Sequence, residues 1–114
     1  MANHIVHFEI GCRDMDAASK FYGALFDWKL TPEPHMVRVS TGGEVGGHIG
    51  SLGHEPHTYT IFYVSVDDVS ASIALAEASG GRRLVGPIEI PAGKFAWITD
   101  PAGNTIGLIE ERGA

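Results

Sequence analysis

A chain of 114 residues with one cysteine is the size of a single domain, able to bury roughly two-thirds of its unfolded surface without disulfide staples. Its formal net charge of −6, with Arg82-Arg83 as the only basic doublet, excludes an electrostatic nucleic-acid binder and favours a neutral or cationic small-molecule ligand. There is no run of 18 apolar residues and no leader-like segment, and the lone Cys12 suits a reducing compartment, so the expectation is a cytoplasmic protein that makes no membrane contact.

From His4 to Ile10 the chain alternates, with Val6, Phe8 and Ile10 on one face of a strand and His7 and Glu9 on the other. Asp14 stands where it can cap a helix over about Met15 to Phe26, and Ala18, Phe21, Tyr22 and Leu25 give that helix an apolar stripe. The stripe covers the Phe8 face, toward which Cys12 also points, and leaves the His7/Glu9 face to be covered by something else. Trp28-Lys29-Leu30 begins a second strand, and Thr31-Pro32-Glu33-Pro34 is a prolyl turn. Met36 to Ser40 alternates again, with Val37 and Val39 opposed to Met36, Arg38 and Ser40. Val45 to Ser51 reads as a glycine-rich fourth strand; no Gly-Lys-Ser/Thr follows and no helix begins there, which argues against a phosphate loop. Gly53 to His57 has the composition of a linker, and His35, His54 and His57 read as solvated.

The second half repeats the plan. Adding 54 to each number carries Phe8–Leu30 onto Phe62–Leu84, with Ile10 meeting Val64, Asp14 meeting Asp68 and Phe21 meeting Leu75, in the same apolar phase. Tyr59 to Val66 is a strand, and Asp67 or Asp68 caps a helix carrying Val69, Ile73 and Ala76 that stops at Gly80-Gly81. Strands follow at about Arg83–Ile90, Lys94–Thr99 and Thr105–Glu110, the last two joined by the tight turn Asp100-Pro101-Ala102-Gly103-Asn104. The fold class is therefore α+β, a single domain over 1–114. It comprises two βαβββ modules, about 4–52 and 58–111, whose curved mixed sheets surround a shared cup with the helices outside. Such a cup is the default binding site.

The chain resembles the vicinal oxygen chelate superfamily, which holds glyoxalases, bleomycin-resistance proteins and extradiol dioxygenases. The resemblance runs from Ile5 to Glu110. It rests on Val6-His7-Phe8-Glu9-Ile10, Ala17-Ala18-Ser19-Lys20-Phe21-Tyr22, Phe26-Asp27-Trp28-Lys29-Leu30 and Val64-Ser65-Val66-Asp67-Asp68-Val69. Ala78-Ser79-Gly80-Gly81 and Asp100-Pro101-Ala102-Gly103-Asn104-Thr105-Ile106-Gly107-Leu108 complete it. It implies homodimers and, in the metal-dependent members, four ligands from the first and last strands of each module. Carried over by position, those ligands fall on His7, Gly50, Ile61 and Gly107. One donor in four is too few for a catalytic zinc site, which normally needs three protein ligands. His48 points to the same side as Gly50 and with His7 and Glu9 offers donors from one module only, so no intrinsic metal or cofactor is expected, a recruited divalent metal being the lesser alternative. The two glycines read as room for a ligand.

The expected ligand-lining residues are His7, Glu9, Arg38, His48, Gly50, Ile61, Tyr63, Trp97 and Gly107. His7 and Glu9 are the acid–base candidates, Glu9 by partial desolvation, although Arg38 or Lys94 can also pair with it at the rim. Tyr63 and either Trp97 or Ala96, according to strand phase, give an aromatic wall for a planar ligand. Two functions follow as expectations. One is metal-independent binding of a small, cationic or planar molecule, as the bleomycin-resistance resemblance implies. The other is a glyoxalase-type lyase or isomerase using His7 and Glu9, or a metal recruited through His7 and His48.

Overall fold

The computed structural model describes residues 2–50 and 58–112; the linker reading of Gly53 to His57, with His54 and His57, lies outside the described residues. Along the chain run β1 (Ile5–Gly11), α1 (Met15–Phe26), β2 (Lys29–Pro32), β3 (Met36–Ser40) and β4 (Gly46–Gly50), then β5 (Tyr59–Ser65), α2 (Val69–Ala78), β6 (Arg82–Ile90), β7 (Gly93–Thr99) and β8 (Thr105–Glu111). The chain is α+β, two βαβββ modules. Its contacts divide it into two compact units, Val6–Ile61 and Met1–Ile5 with Phe62–Ala114, so the boundary falls inside β5.

In the unit Val6–Ile61 the strand order is β2-β3-β4-β1, with β1 parallel to β4 and β3 antiparallel to both its neighbours. The Asp14 carboxylate accepts the Ala17 N–H at 3.0 Å, satisfying a donor that the first turn of α1 leaves open, and the helix ends where Asp27 turns left-handed at φ 57°. Ile10, Val37, Val39 and Ile49 form the core, with Phe8, Cys12, Met15, Ala18 and Tyr22 packed on it. Ile49 is fully buried, a gain of about 1.5–3 kcal/mol over the exposed side chain. The stripe expected on α1 is narrower than its sequence suggested. Ala18 and Tyr22 meet the sheet, but Phe21 and Leu25 are each 58% exposed. Phe21 lies roughly 100° around the helix from Tyr22, and Leu25 falls in the last turn. Tyr22 stacks instead on Trp28, centroids 5.5 Å apart and 11° from parallel, with Phe8 and Phe26 against the same indole.

In the other unit the order is β5-β8-β7-β6, with β5 parallel to β8 and β7 antiparallel to β8 and β6. Asp68 rather than Asp67 caps α2, accepting the Ala71 N–H at 3.0 Å, and Glu110 on β8 accepts the Val69 N–H at 2.9 Å. Val66, Val69, Ile73, Ala96 and Leu108 make the core. The Asp100 carboxylate ties the following turn by accepting from the backbone of Ala102 and Asn104 and from the Asn104 amide.

Candidate functional site

Strand alternation sorts the first module into two faces. Ile10, Val37, Val39 and Ile49 turn toward α1, so His7 and Glu9 on β1, Arg38 on β3 and His48 on β4 turn the other way. Register then fixes who meets whom: His48 stands opposite Glu9 on one side and Arg38 on the other.

The structure brings His7, Glu9 and His48 together. His7 Nε2 and His48 Nδ1 share a hydrogen bond of 2.7 Å, and His48 Nε2 lies 3.5 Å from Glu9 Oε1. On the far side, the Tyr59 hydroxyl donates to Glu9 Oε2. Glu9 is 2% exposed, whereas both imidazoles are half-buried. A linked series thus runs from the Tyr59 hydroxyl through a buried carboxylate to two imidazoles that reach the surface.

The electrostatics follow from burial. Desolvation, reinforced by the His48 imidazole and by Arg38 and opposed by Glu9, holds His7 at a pKa of about 4, so it is neutral at pH 7. Burial, then the hydrogen bond to Glu9 and its charge, raise the Tyr59 phenol above its ordinary range and keep it a donor.

Tyr59 is the member of this series that is absent from the residues expected at the site. Its signal was available: it stands two residues before Ile61 and four before Tyr63 on one strand, hence on their face. Its place depends on Gly11, where a Cβ would lie 2.2–2.5 Å from the Tyr59 ring. Arg38 reaches the same face but does not pair with Glu9. It forks onto Glu33 at the surface, Nε to Oε2 at 2.7 Å and a second nitrogen to Oε1 at 3.3 Å. Lys94 stands opposite Glu89 and Glu110.

Three other expectations are corrected. Gly107 opens no room for a ligand, because the Tyr63 ring fills it, a Cβ there lying 2.4 Å from the ring. At Gly50, which is buried, a Cβ would make ordinary contacts with Met36, His35 and His48, the nearest at 3.5 Å, so a methyl group would fit there. The aromatic wall is core: Trp97 and Tyr63 are 3% and 6% exposed, and the indole N–H donates to the Tyr63 hydroxyl at 2.8 Å. Trp97 takes the face shared with Gly107, and Ala96 the face packed on α2, which settles the strand phase. Ile61 is buried, 4% exposed.

The register also moves one repeat correspondence. Glu9 pairs with His48, and its counterpart Tyr63 pairs with Gly107; Gly11 pairs with Gly50, and its counterpart Ser65 pairs with Ile109. His48, not Gly50, is therefore the equivalent of Gly107, and the positions implied by the resemblance are His7, His48, Ile61 and Gly107. Two offer donors and two do not. His7 and His48 are hydrogen-bonded to each other at 2.7 Å, and a catalytic zinc normally takes three protein ligands. The four positions offer two donors, one short of that set, and among the described residues no group of three or more His, Cys, Asp or Glu side chains is placed to hold a metal. None of the described helices is long and apolar enough to cross a membrane.

Residues 4–108 match the model of the Glyoxalase/Bleomycin resistance protein/Dioxygenase superfamily. The chain is 28% identical over 120 residues to a glyoxylase-like domain-containing protein of Didymella fabae, spanning 92% of this chain and 91% of that one. It is 32% identical over 108 residues to CFP32 of Mycobacterium tuberculosis, provisionally named a glyoxylase; 83% of this chain is covered, but only 41% of CFP32. Among solved structures, methylmalonyl-CoA epimerase from Mycobacterium tuberculosis superposes with a TM-score of 0.70 at 16% identity, covering 96% of this chain and 88% of that one. A hypothetical protein from Bacillus halodurans C-125 superposes with a TM-score of 0.75 at 14% identity, covering 100% and 98%. At these identities the superpositions speak for the fold alone, while the family match spans nearly the whole sequence. The chain belongs to the glyoxalase/bleomycin resistance protein/dioxygenase superfamily.

Proposed function

We propose that the chain binds a small molecule through the His7–His48 pair without a resident metal. The observation that carries this reading is a pair of half-buried, mutually bonded imidazoles on the sheet face opposite α1, backed by a buried carboxylate. A neutral imidazole has one donor and one acceptor nitrogen, so a ligand hydroxyl or carbonyl oxygen can take the place of the bond that the two rings make with each other. Burial of Tyr63 and Trp97 withdraws the support for stacking on a planar ligand. The reading keeps the chain cytoplasmic, on its single thiol, and homodimeric, on the family resemblance.

The test is a thermal-shift screen of small hydroxyl and carbonyl compounds on native and EDTA-treated protein. A specific ligand at a hundred times its Kd adds about 2.7 kcal/mol of stability, equally with and without EDTA, and His7→Gln abolishes the gain. Stoichiometric divalent metal retained through dialysis, with binding lost on chelation, would overturn the reading.

A second reading is favoured by one specific feature, the series Tyr59–Glu9–His48–His7, hydrogen-bonded at either end with a 3.5 Å approach between Glu9 and His48. Such a series suits proton transfer, with His7 as the group that meets the substrate and Glu9 as the buried partner. Enzyme names among the relatives support it. In that case His7→Ala and Glu9→Gln abolish turnover of a carbonyl substrate while each variant still melts cooperatively; undiminished turnover in both variants rejects it.

A further inference from the structure

We infer that Arg38 seats a ligand carboxylate, so that the molecule held at His7–His48 is a small 2-oxo or 2-hydroxy carboxylate. This rests on the binding reading above and names its ligand class. Arg38 stands directly opposite His48 in the β3–β4 register, and His48 directly opposite Glu9, so guanidinium and imidazoles share one face within adjacent strands. Residues opposed in this way have Cβ atoms about 5 Å apart. The two side chains are therefore rooted close enough for a short acid to bridge them, its carboxylate toward the guanidinium and its oxygen toward the imidazole pair.

The guanidinium already holds a carboxylate in the geometry required. Glu33, at the turn after β2, takes its fork with contacts of 2.7 and 3.3 Å. Planar two-point pairing is what distinguishes Arg from Lys as a carboxylate receptor. Yet this pair is exposed, with 57% of the Arg38 side chain and 31% of the Glu33 side chain open to solvent, and exposed ion pairs contribute little net stability. Glu33 thus stands in for the ligand group and is readily exchanged for it. The net charge of −6 favours neutral or cationic ligands, but Arg38 sets a cation on this face, beside the carboxylates of Glu33 and Glu9.

The experiment follows the imidazole signals of His7 and His48 by NMR while titrating pyruvate or hydroxyacetone, its neutral analogue, into native protein, Glu33→Gln and Arg38→Gln. Pyruvate is expected to shift both imidazoles, to bind about tenfold tighter in Glu33→Gln, where the internal competitor is gone, and about tenfold weaker in Arg38→Gln. Hydroxyacetone should respond to neither substitution. Pyruvate affinity unmoved by both substitutions overturns the carboxylate seat and leaves the imidazole site standing. So does hydroxyacetone binding without pyruvate binding. If neither compound moves either imidazole, the seat and the binding reading fall together.

Discussion

The Tyr59 hydroxyl donates to a Glu9 carboxylate that is 2% exposed, and the ring reaches it only because residue 11 has no side chain. A bulky aromatic, a buried acid and a glycine form one unit behind the two imidazoles. Each of the three can be tested by substitution.

Gly11→Ala puts a methyl group 2.2–2.5 Å from the Tyr59 ring. The ring is rigid and anchored at its hydroxyl, so the chain must shift, at a cost of about 1–3 kcal/mol. Urea denaturation measures it, and a double-mutant cycle with Tyr59→Ala should recover most of the loss. Equal costs in both backgrounds would show that the clash is not with Tyr59.

Tyr59→Phe keeps the ring and removes one donor from a buried carboxylate. The expected loss is about 1–3 kcal/mol, larger than for Tyr59→Phe in a Glu9→Gln background, where the acceptor is no longer charged. Denaturation midpoints of the four proteins decide the point.

His7 has a folded pKa of about 4 against 6.5 in the unfolded chain. Between those values the unfolded state binds more protons, so stability falls as pH drops from 6.5 toward about 4 and is flat in this respect above 6.5. His7→Gln should show a shallower decline over that window than native protein. Identical slopes for the two would mean that His7 titrates normally.

Phe21 is 58% exposed while its neighbour Tyr22 stacks on Trp28. Phe21→Gln should change stability by no more than about 0.5 kcal/mol, whereas Tyr22→Ala, at a partly buried and stacked ring, should cost roughly 1–3 kcal/mol, below the range for a fully buried aromatic. Calorimetry on the two variants separates a packed helix face from an exposed one.

The course of the backbone was legible from one sequence. Met15–Phe26 and Met36–Ser40 have the bounds that the sequence indicates, because Asp14 supplies a cap and Val37 and Val39 supply period-two burial. The duplication was legible through its apolar phase and its two Asp caps. Strand parity also placed His7, Glu9 and His48 on one face.

What parity cannot supply is register. Whether His48 or Gly50 matches Gly107 depends on which residues stand side by side in β1–β4 and β5–β8, a two-residue choice to which alternation is blind. Nor can one sequence tell which glycines a ring has filled: a Cβ would fit at Gly50 at ordinary contact distance, while Gly107 and Gly11 are occupied by the rings of Tyr63 and Tyr59. The fate of each polar group was likewise a matter of proximity. Arg38 forks onto Glu33 rather than Glu9, and the Trp97 indole meets the Tyr63 hydroxyl. Local patterns along the chain determine which face a side chain takes, but its neighbour there comes from a distant segment, and only the packed tertiary structure decides that.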